Sequence, residues 1–237
     1  MPSFQIDRPL LDEVLHVSRQ TVRPTLPRHR HTLTREQIER AQRARIIVAT
    51  AEVVTEVGYH DASAKSIIAR AGVSSKTFYA LYEDKEAAFM AGYTLLDGVF
   101  VQLARTAFDD GGNGKGGEPG AAVRHGFRSF LDGLAAWPLF ARMHAVEGRA
   151  AGARALEHRT LVYAELVAAL RDAVTRASKR DKRISVPSEL VLMAVVGGIG
   201  ELVLQHIVED GTTTLPDLLP TVVELFERVC FAPPAAG

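Results

Sequence analysis

Ser75, Lys76, Thr77 and Tyr79 bring hydroxyls and an ammonium close together, with no acid between them. Side chains of this kind hydrogen-bond to phosphate oxygens and to base edges, and lysine adds charge to the bond. Such chemistry requires a rigid element that presents the group on one face. The surrounding stretch, SAKSIIARAGVSSKTFYALY over Ser63–Tyr82, reads as two short helices joined by a tight turn. Ser63 is a good N-cap for the first, whose Ala64, Ile67, Ile68 and Ala71 recur at helical spacing. Gly72 stands where that helix must end, because the residue after a helix commonly needs a positive φ. Val73 closes the turn, and Ser74 or Ser75 can cap a second helix that turns Phe78 and Leu81 inward. The pattern is that of a helix-turn-helix, whose second helix can enter a DNA major groove. An ordinary pair of helices in a larger bundle shares much of it.

The flanking elements must hold this hairpin. Thr34 to Val57 is a well-signed helix: Thr34 with Gln37 makes a capping box, and Leu33 with Ile38 a hydrophobic staple. Ile46, Ala49, Thr50, Val53, Val54 and Val57 line one face, and Gly58 is the stop. Arg40 and Arg43 lie on the outer face, open to phosphate or to solvent. On the other side, Asp84 caps a long helix from Lys85 to about Phe108. Its Ala87, Ala88, Tyr93, Leu95, Leu96, Val99, Phe100 and Leu103 are apolar on more than one side. A helix of that breadth is expected to pack on two bodies and to link them mechanically. Lys85 sits at its N-terminus, where unpaired N–H groups and the dipole favour a phosphate.

The order Gly58-Tyr59, Ala71-Gly72-Val73-Ser74, Thr77-Phe78-Tyr79 and Asp84-Lys85-Glu86-Ala87 resembles the DNA-binding domain of the tetracycline-repressor (TetR) family. The resemblance covers about residues 43 to 90, and its motifs are specific in combination. It implies that the short second helix lies in the major groove, with Lys76, Thr77 and Tyr79 in contact with DNA and Ser75 near base edges. Ser63, Lys65 and Lys85 would bind phosphates. The long segment before Thr34 departs from the family, many of whose members start almost directly with the first helix.

That segment, residues 1–33, is the least readable. Pro9 to Gln20 can form a short amphipathic helix through Leu10, Leu11, Val14 and Leu15. Arg23-Pro24, Pro27-Arg28, His29, Arg30 and His31 then make an extended basic arm, since each proline disfavours helix in its predecessor. The arm could reach phosphates or the minor groove, or stay solvated. Formal net charge is zero over 237 residues, so charge alone argues nothing for nucleic acid. Its distribution does: Arg19, Arg23, Arg28, Arg30, Arg35, Arg40, Arg43 and Arg45 face only Glu36 and Glu39 over that interval.

The rest of the chain reads as helical throughout, so the expected architecture is all-α: an extension at 1–33, a helix-turn-helix domain at 34–83, and an effector-binding and dimerisation domain at 84–237. Asp109 to Gly120 is a loop whose glycines lack the strand and the Lys-Ser/Thr pair of a phosphate cradle. Helices are expected over Ala121–Ala136, from Pro138 to about Gly148, and from Gly152 to about Ser178. A further helix follows Pro187 to about Glu209, and Thr214 with Asp217 resembles a capping box for the last, to about Cys230. Gly197, Gly198 and Gly200 each cost about 1 kcal/mol in a helix interior, a cost that close helix approach would offset. The helices at about 187–209 and 215–230, from two chains, would form a four-helix dimer interface, as the resemblance also implies; burial within one subunit is the alternative.

The family further implies a small apolar effector. Phe127, Phe130, Leu131, Leu134, Trp137, Phe140, Met143, Tyr163, Leu166 and Met193 could line its cavity, though each alone fits an ordinary core. Arg142, His144 and Glu147 could be polar anchors, and His144 with Glu147 has helical spacing for a metal pair, too few ligands for a site. No cofactor is expected. An enzyme is disfavoured: Gly-x-Ser-x-Gly is missing, the histidines are scattered, and the single cysteine, Cys230, excludes a Cys-rich metal centre. A helical interaction protein without DNA binding stays open, although Lys76 and Lys85 are both in place. No run of about 18 apolar residues suggests a spanning helix, and no apolar signal core opens the chain, so a bacterial-type cytoplasm is the expected compartment. The sum is a dimeric, ligand-responsive regulator, expected to repress from a palindromic operator.

Overall fold

A computed structural model describes residues 6–20, 34–110 and 121–231. The basic arm around Arg23–His31, the Leu33 side of the staple and most of the glycine-rich stretch after Asp109 lie outside these. Among the described residues the chain is all-α, as expected: α1 (Arg8–Ser18), α2 (Arg35–Val57), α3 (Ala64–Ala71), α4 (Ser75–Leu81), α5 (Lys85–Asp110), α6 (Ala121–Ala136), α7 (Pro138–Ala145), α8 (Ala153–Arg180), α9 (Glu189–Glu209) and α10 (Leu219–Cys230). One isolated antiparallel bridge joins Ile184 to Phe231.

The chain divides into two compact units. The first holds the described residues up to Gly98 together with Glu147–Ala155. Its axle is α2, buried without a break from Ala44 to Ala51. A helix packed on every side goes beyond the single apolar stripe read from its spacing; α1 and α3 both lie against it. The N-terminal extension thus contributes a helix to this core, through buried Leu11, Val14 and Val17, with Asp7 capping it by accepting from the Leu10 N–H at 3.0 Å. Thr34 and Gln37 form the reciprocal capping box of α2. Val57, expected inward, is 47% exposed at the last position of α2. The first half of α5 adds Phe89, Met90 and Tyr93 to the same core. The compact division falls inside α5, after Gly98.

The second unit takes in the described residues of Val99–Val146 and those from Leu156 onward. Here α6 packs on α10, and α7 on α9. Pro138 opens α7 as expected. The capping box at Thr214 does not form: residues Leu215–Leu218 make a 3-10 turn, and the Thr214 hydroxyl pairs with the His206 ring at 2.9 Å. Proline at 220 lacks an N–H and its ring would crowd the carbonyl of residue 216, so α10 begins afresh at Leu219. An Arg105–Glu165 ion pair ties α5 to α8. Gly200 lets the Tyr163 hydroxyl approach to where a Cβ would stand 2.4 Å away, so this glycine serves contact within the chain.

Cys230 is buried, and burial pushes its thiol up to about 12. The unfolded thiol ionises near 8.5, so this residue lowers stability only as pH rises from about 9 toward 12. The folded protein is expected to resist iodoacetamide at pH 8 and to react once unfolded in urea, followed by mass spectrometry.

Two helices among the described residues, Lys85–Phe108 and Glu189–Glu209, are long and apolar enough to cross a membrane by length and composition alone. The most apolar window of the first is 67% buried in the protein, as a core helix would be. That of α9 is only 33% buried, and Leu190, Val191 and Val208 are among the exposed large apolar side chains.

Candidate nucleic-acid interface

The hairpin is built from local bonds. Ser63 caps α3 by accepting from the Ser66 N–H at 3.1 Å, and the Ser66 side chain returns to the Ser63 N–H. Gly72 ends α3 in the left-handed region at φ 63° and ψ 37°. Ser74, of the two serines considered, caps α4 by accepting from the Thr77 N–H at 3.0 Å. Phe78 is fully buried and Leu81 half-buried, so α4 rests on its apolar side.

Distant residues then lock the pair. Buried Arg45, on α2, donates from Nε to the Ala71 carbonyl at 2.9 Å, placing a cation at the C-terminal end of α3. Arg70, in the last turn of α3, forms ion pairs with Glu52 and Glu56 of α2. Arg40 and Arg43 pair with Glu36 and Glu39 one turn back, and Arg43 also lies over the Tyr82 ring at 5.9 Å. Burial pushes the Tyr59 and Tyr82 phenols above their ordinary range, so both stay neutral.

The expected DNA contacts fall into two groups. Lys65, Ser75, Lys76 and Tyr79 are exposed, Tyr79 at 58% with its ring edge-on to Phe78. Ser63, Thr77 and Lys85 carry internal duties. The Ser63 and Thr77 hydroxyls belong to the caps, each paired with a serine hydroxyl at about 3 Å. Lys85, expected to bind phosphate, has three contacts within the chain. Its half-buried Nζ donates to the carbonyls of Tyr59 at 2.8 Å, His60 at 3.1 Å and Ala62 at 2.8 Å. An ammonium has three N–H groups, so its donors are matched one for one.

The residues proposed for an effector cavity also separate. Phe130, Trp137 and His144 gather around Phe100 of α5, at ring distances of 6.3, 6.2 and 5.9 Å. Phe100 was absent from the cavity set; its place in a linking helix gave no hint of it. Phe127 instead stacks edge-on with Phe108 and Phe226. Leu131, Leu134, Phe140 and Met143 are buried core. Tyr163 is half-buried, its hydroxyl accepting from Arg159 at 2.7 Å, while Leu166, Met193 and Arg142 are half-buried. Glu147 is buried in the first unit, where its carboxylate accepts the Tyr59 N–H at 2.8 Å. Among the described residues no three His, Cys, Asp or Glu side chains group as metal ligands.

The sequence profile of the bacterial regulatory proteins of the tetR family matches residues 46–91, the end of α2 through the start of α5. No curated protein sequence matches the chain. Among solved structures, the fatty acid degradation regulator FadR from Bacillus halodurans is similar at TM-score 0.67 and 20% identity, over 78% of this chain and 93% of that one. The transcriptional regulator FadR from Bacillus subtilis, in complex with stearoyl-CoA, aligns at TM-score 0.62 and 20% identity, over 76% and 95%. A TetR family transcription regulator from Marinobacter aquaeolei aligns at TM-score 0.62 and 18% identity, over 83% and 100%. These likenesses are of fold.

Proposed function

We propose, from the premise that the chain belongs to the tetR family of bacterial regulatory proteins, that it is a ligand-responsive repressor in the bacterial cytoplasm. It binds a palindromic operator as a homodimer. The observation that carries this reading is the exposed row Lys65, Ser75, Lys76 and Tyr79 on a hairpin whose helices are capped and held from behind by Arg45 and Arg70. Rigid presentation of donors is what base and phosphate contact requires. Ser75 is assigned to base edges, Lys76 and Lys65 to phosphates, and Tyr79 to either.

The dimer forms through α9 with α10. On α9, Leu190, Val191, Ala194 and Val208 are exposed at helical spacing along an apolar helix, with half-buried Gly197 and Gly198 between them. A second copy is the cover that two-fold reading of DNA also demands. The effector is a small apolar molecule or one with an apolar tail. The ring cluster of Phe100, Phe130, Trp137 and His144 is of the right character, and the Bacillus subtilis protein of like fold binds stearoyl-CoA. Effector release of DNA requires unequal affinity for the two forms, and full reversal of a 1:99 equilibrium requires about 10⁴-fold.

A mobility-shift assay with the DNA upstream of the protein's own gene, at several salt concentrations, tests the reading. Lys76→Ala is expected to weaken all sequences alike and to reduce the salt slope by about 1. Ser75→Ala is expected to change sequence preference with the slope intact. Stearoyl-CoA, as a first probe, is expected to release the duplex. No shift at low salt by the unaltered protein would remove DNA binding from the account.

A further inference from the structure

The turn that sets the entry angle of the hairpin is Gly58–Ala62, immediately before the Ser63 cap. Its backbone groups are gripped by two side chains of opposite type. Lys85 takes the carbonyls of Tyr59, His60 and Ala62, and Glu147 takes the Tyr59 N–H. The Lys85 ammonium also lies 4.7 Å from the centroid of the Tyr59 ring, whose edge contact with Phe89 fixes that ring in the core. Glu147 is 88 residues from Tyr59 in sequence and only 7% exposed. It follows α7 by two residues, and the short segment it begins is seated by buried Ala151 and Ala155 and by an Arg154–Glu86 ion pair at 3.7 Å. Glu86 adjoins Lys85, so the two halves of the grip are tied to one another.

We propose that Lys85 and Glu147 are positioning residues for DNA recognition: together they fix the Tyr59–Ala62 turn that aims the hairpin, and Glu147 makes that aim depend on the chain segment leaving α7. The proposal rests on the DNA-binding reading above. Lys85 acts through the turn, and its loss is read there. Glu147 stands two residues along the chain from the end of α7, which carries His144 of the ring cluster, and bonds the Tyr59 N–H. Coupling of this kind needs a physical element that both sites bias, and the Glu147–Tyr59 bond is such an element.

The test uses the full chain as wild type, K85A, K85R, E147A and E147Q, each with helix content checked by circular dichroism. Hydrogen exchange without DNA is read over residues 58–66, and duplex binding is measured at several salt concentrations. Both alanine variants are expected to expose that segment to faster exchange and to weaken binding about tenfold or more, as loss of hydrogen bonds to a charged group implies. The salt slope stays at the wild-type value in all of them, unlike that of Lys76→Ala. K85R, which keeps the charge without the three-carbonyl geometry, remains weak. E147Q, whose amide oxygen still accepts the Tyr59 N–H, recovers to within about threefold. A salt slope lower by about 1 in K85A, or wild-type affinity in K85R, makes Lys85 a phosphate contact and overturns the proposal. Wild-type exchange and affinity in E147A overturn it as well. If the wild type shifts no duplex, the DNA reading fails, and exchange over residues 58–66 alone decides the grip.

Discussion

Replacing Gly72 by valine is expected to abolish the duplex shift and to destabilise the protein by about 3 kcal/mol. Two costs add. At φ 63° the backbone is left-handed, and an L-residue there costs roughly 1–2 kcal/mol, more when β-branched. A Cβ at this position would also stand 2.8 Å from Arg45 Nη2. That guanidinium cannot move aside cheaply, since it is buried and donates to the Ala71 carbonyl. Displacing it breaks the bond of a buried charge to the C-terminal carbonyl of α3, a loss on the order of 1–3 kcal/mol before relaxation. The same turn fixes α4 against α3, so misplacement of α4 removes DNA binding before unfolding does. The melting temperature should fall by about 10 °C, at roughly 2–4 °C per kcal/mol for a chain of this size. Asparagine, which tolerates the left-handed region, should fare better in backbone terms and still meet Arg45. A valine variant that melts and shifts like wild type would mean that neither the left-handed turn nor the Arg45 contact is formed.

Ala194→Arg is expected to halve the mass in solution and to weaken operator binding on the order of 100-fold, the loss that follows when two linked contacts become one. Ala194 is exposed one turn after Leu190, on the face of α9 that reaches Val208 near the other end. Ala194 is exposed, so a long charged side chain there can extend into solvent in the single chain. Across a two-fold interface it meets its own copy, so the charge is placed twice against apolar surface. Sedimentation velocity reads the mass and the mobility shift reads the affinity. A variant that stays dimeric moves the interface off this face of α9; one that becomes monomeric yet binds DNA at wild-type affinity removes the need for a two-fold reader.

These predictions differ in how far the sequence foretold them. Helix periodicity, the caps at Thr34, Ser63 and Ser74, and the glycine stop at residue 72 depend on groups three or four positions apart, so they are written in the local order of residues. The exposed donors of α4 follow from the same periodicity once Phe78 is placed inward. Where spacing misled, a nearby chemical veto was at work, as when the proline at 220 broke the helix that Thr214 was to cap.

The amino-acid order by itself determined an all-helical chain carrying a capped helical hairpin with polar side chains outward. Tertiary structure alone decided what the charged groups behind it do. Lys85 meets backbone 23 to 26 residues away, Arg45 meets Ala71, and Glu147 crosses 88 residues to reach Tyr59. It also decided which aromatic rings gather around Phe100 and that α5 belongs to two compact units. A side chain's partner across such distances is set by how helices pack, and packing depends on the whole core at once, which no local spacing records.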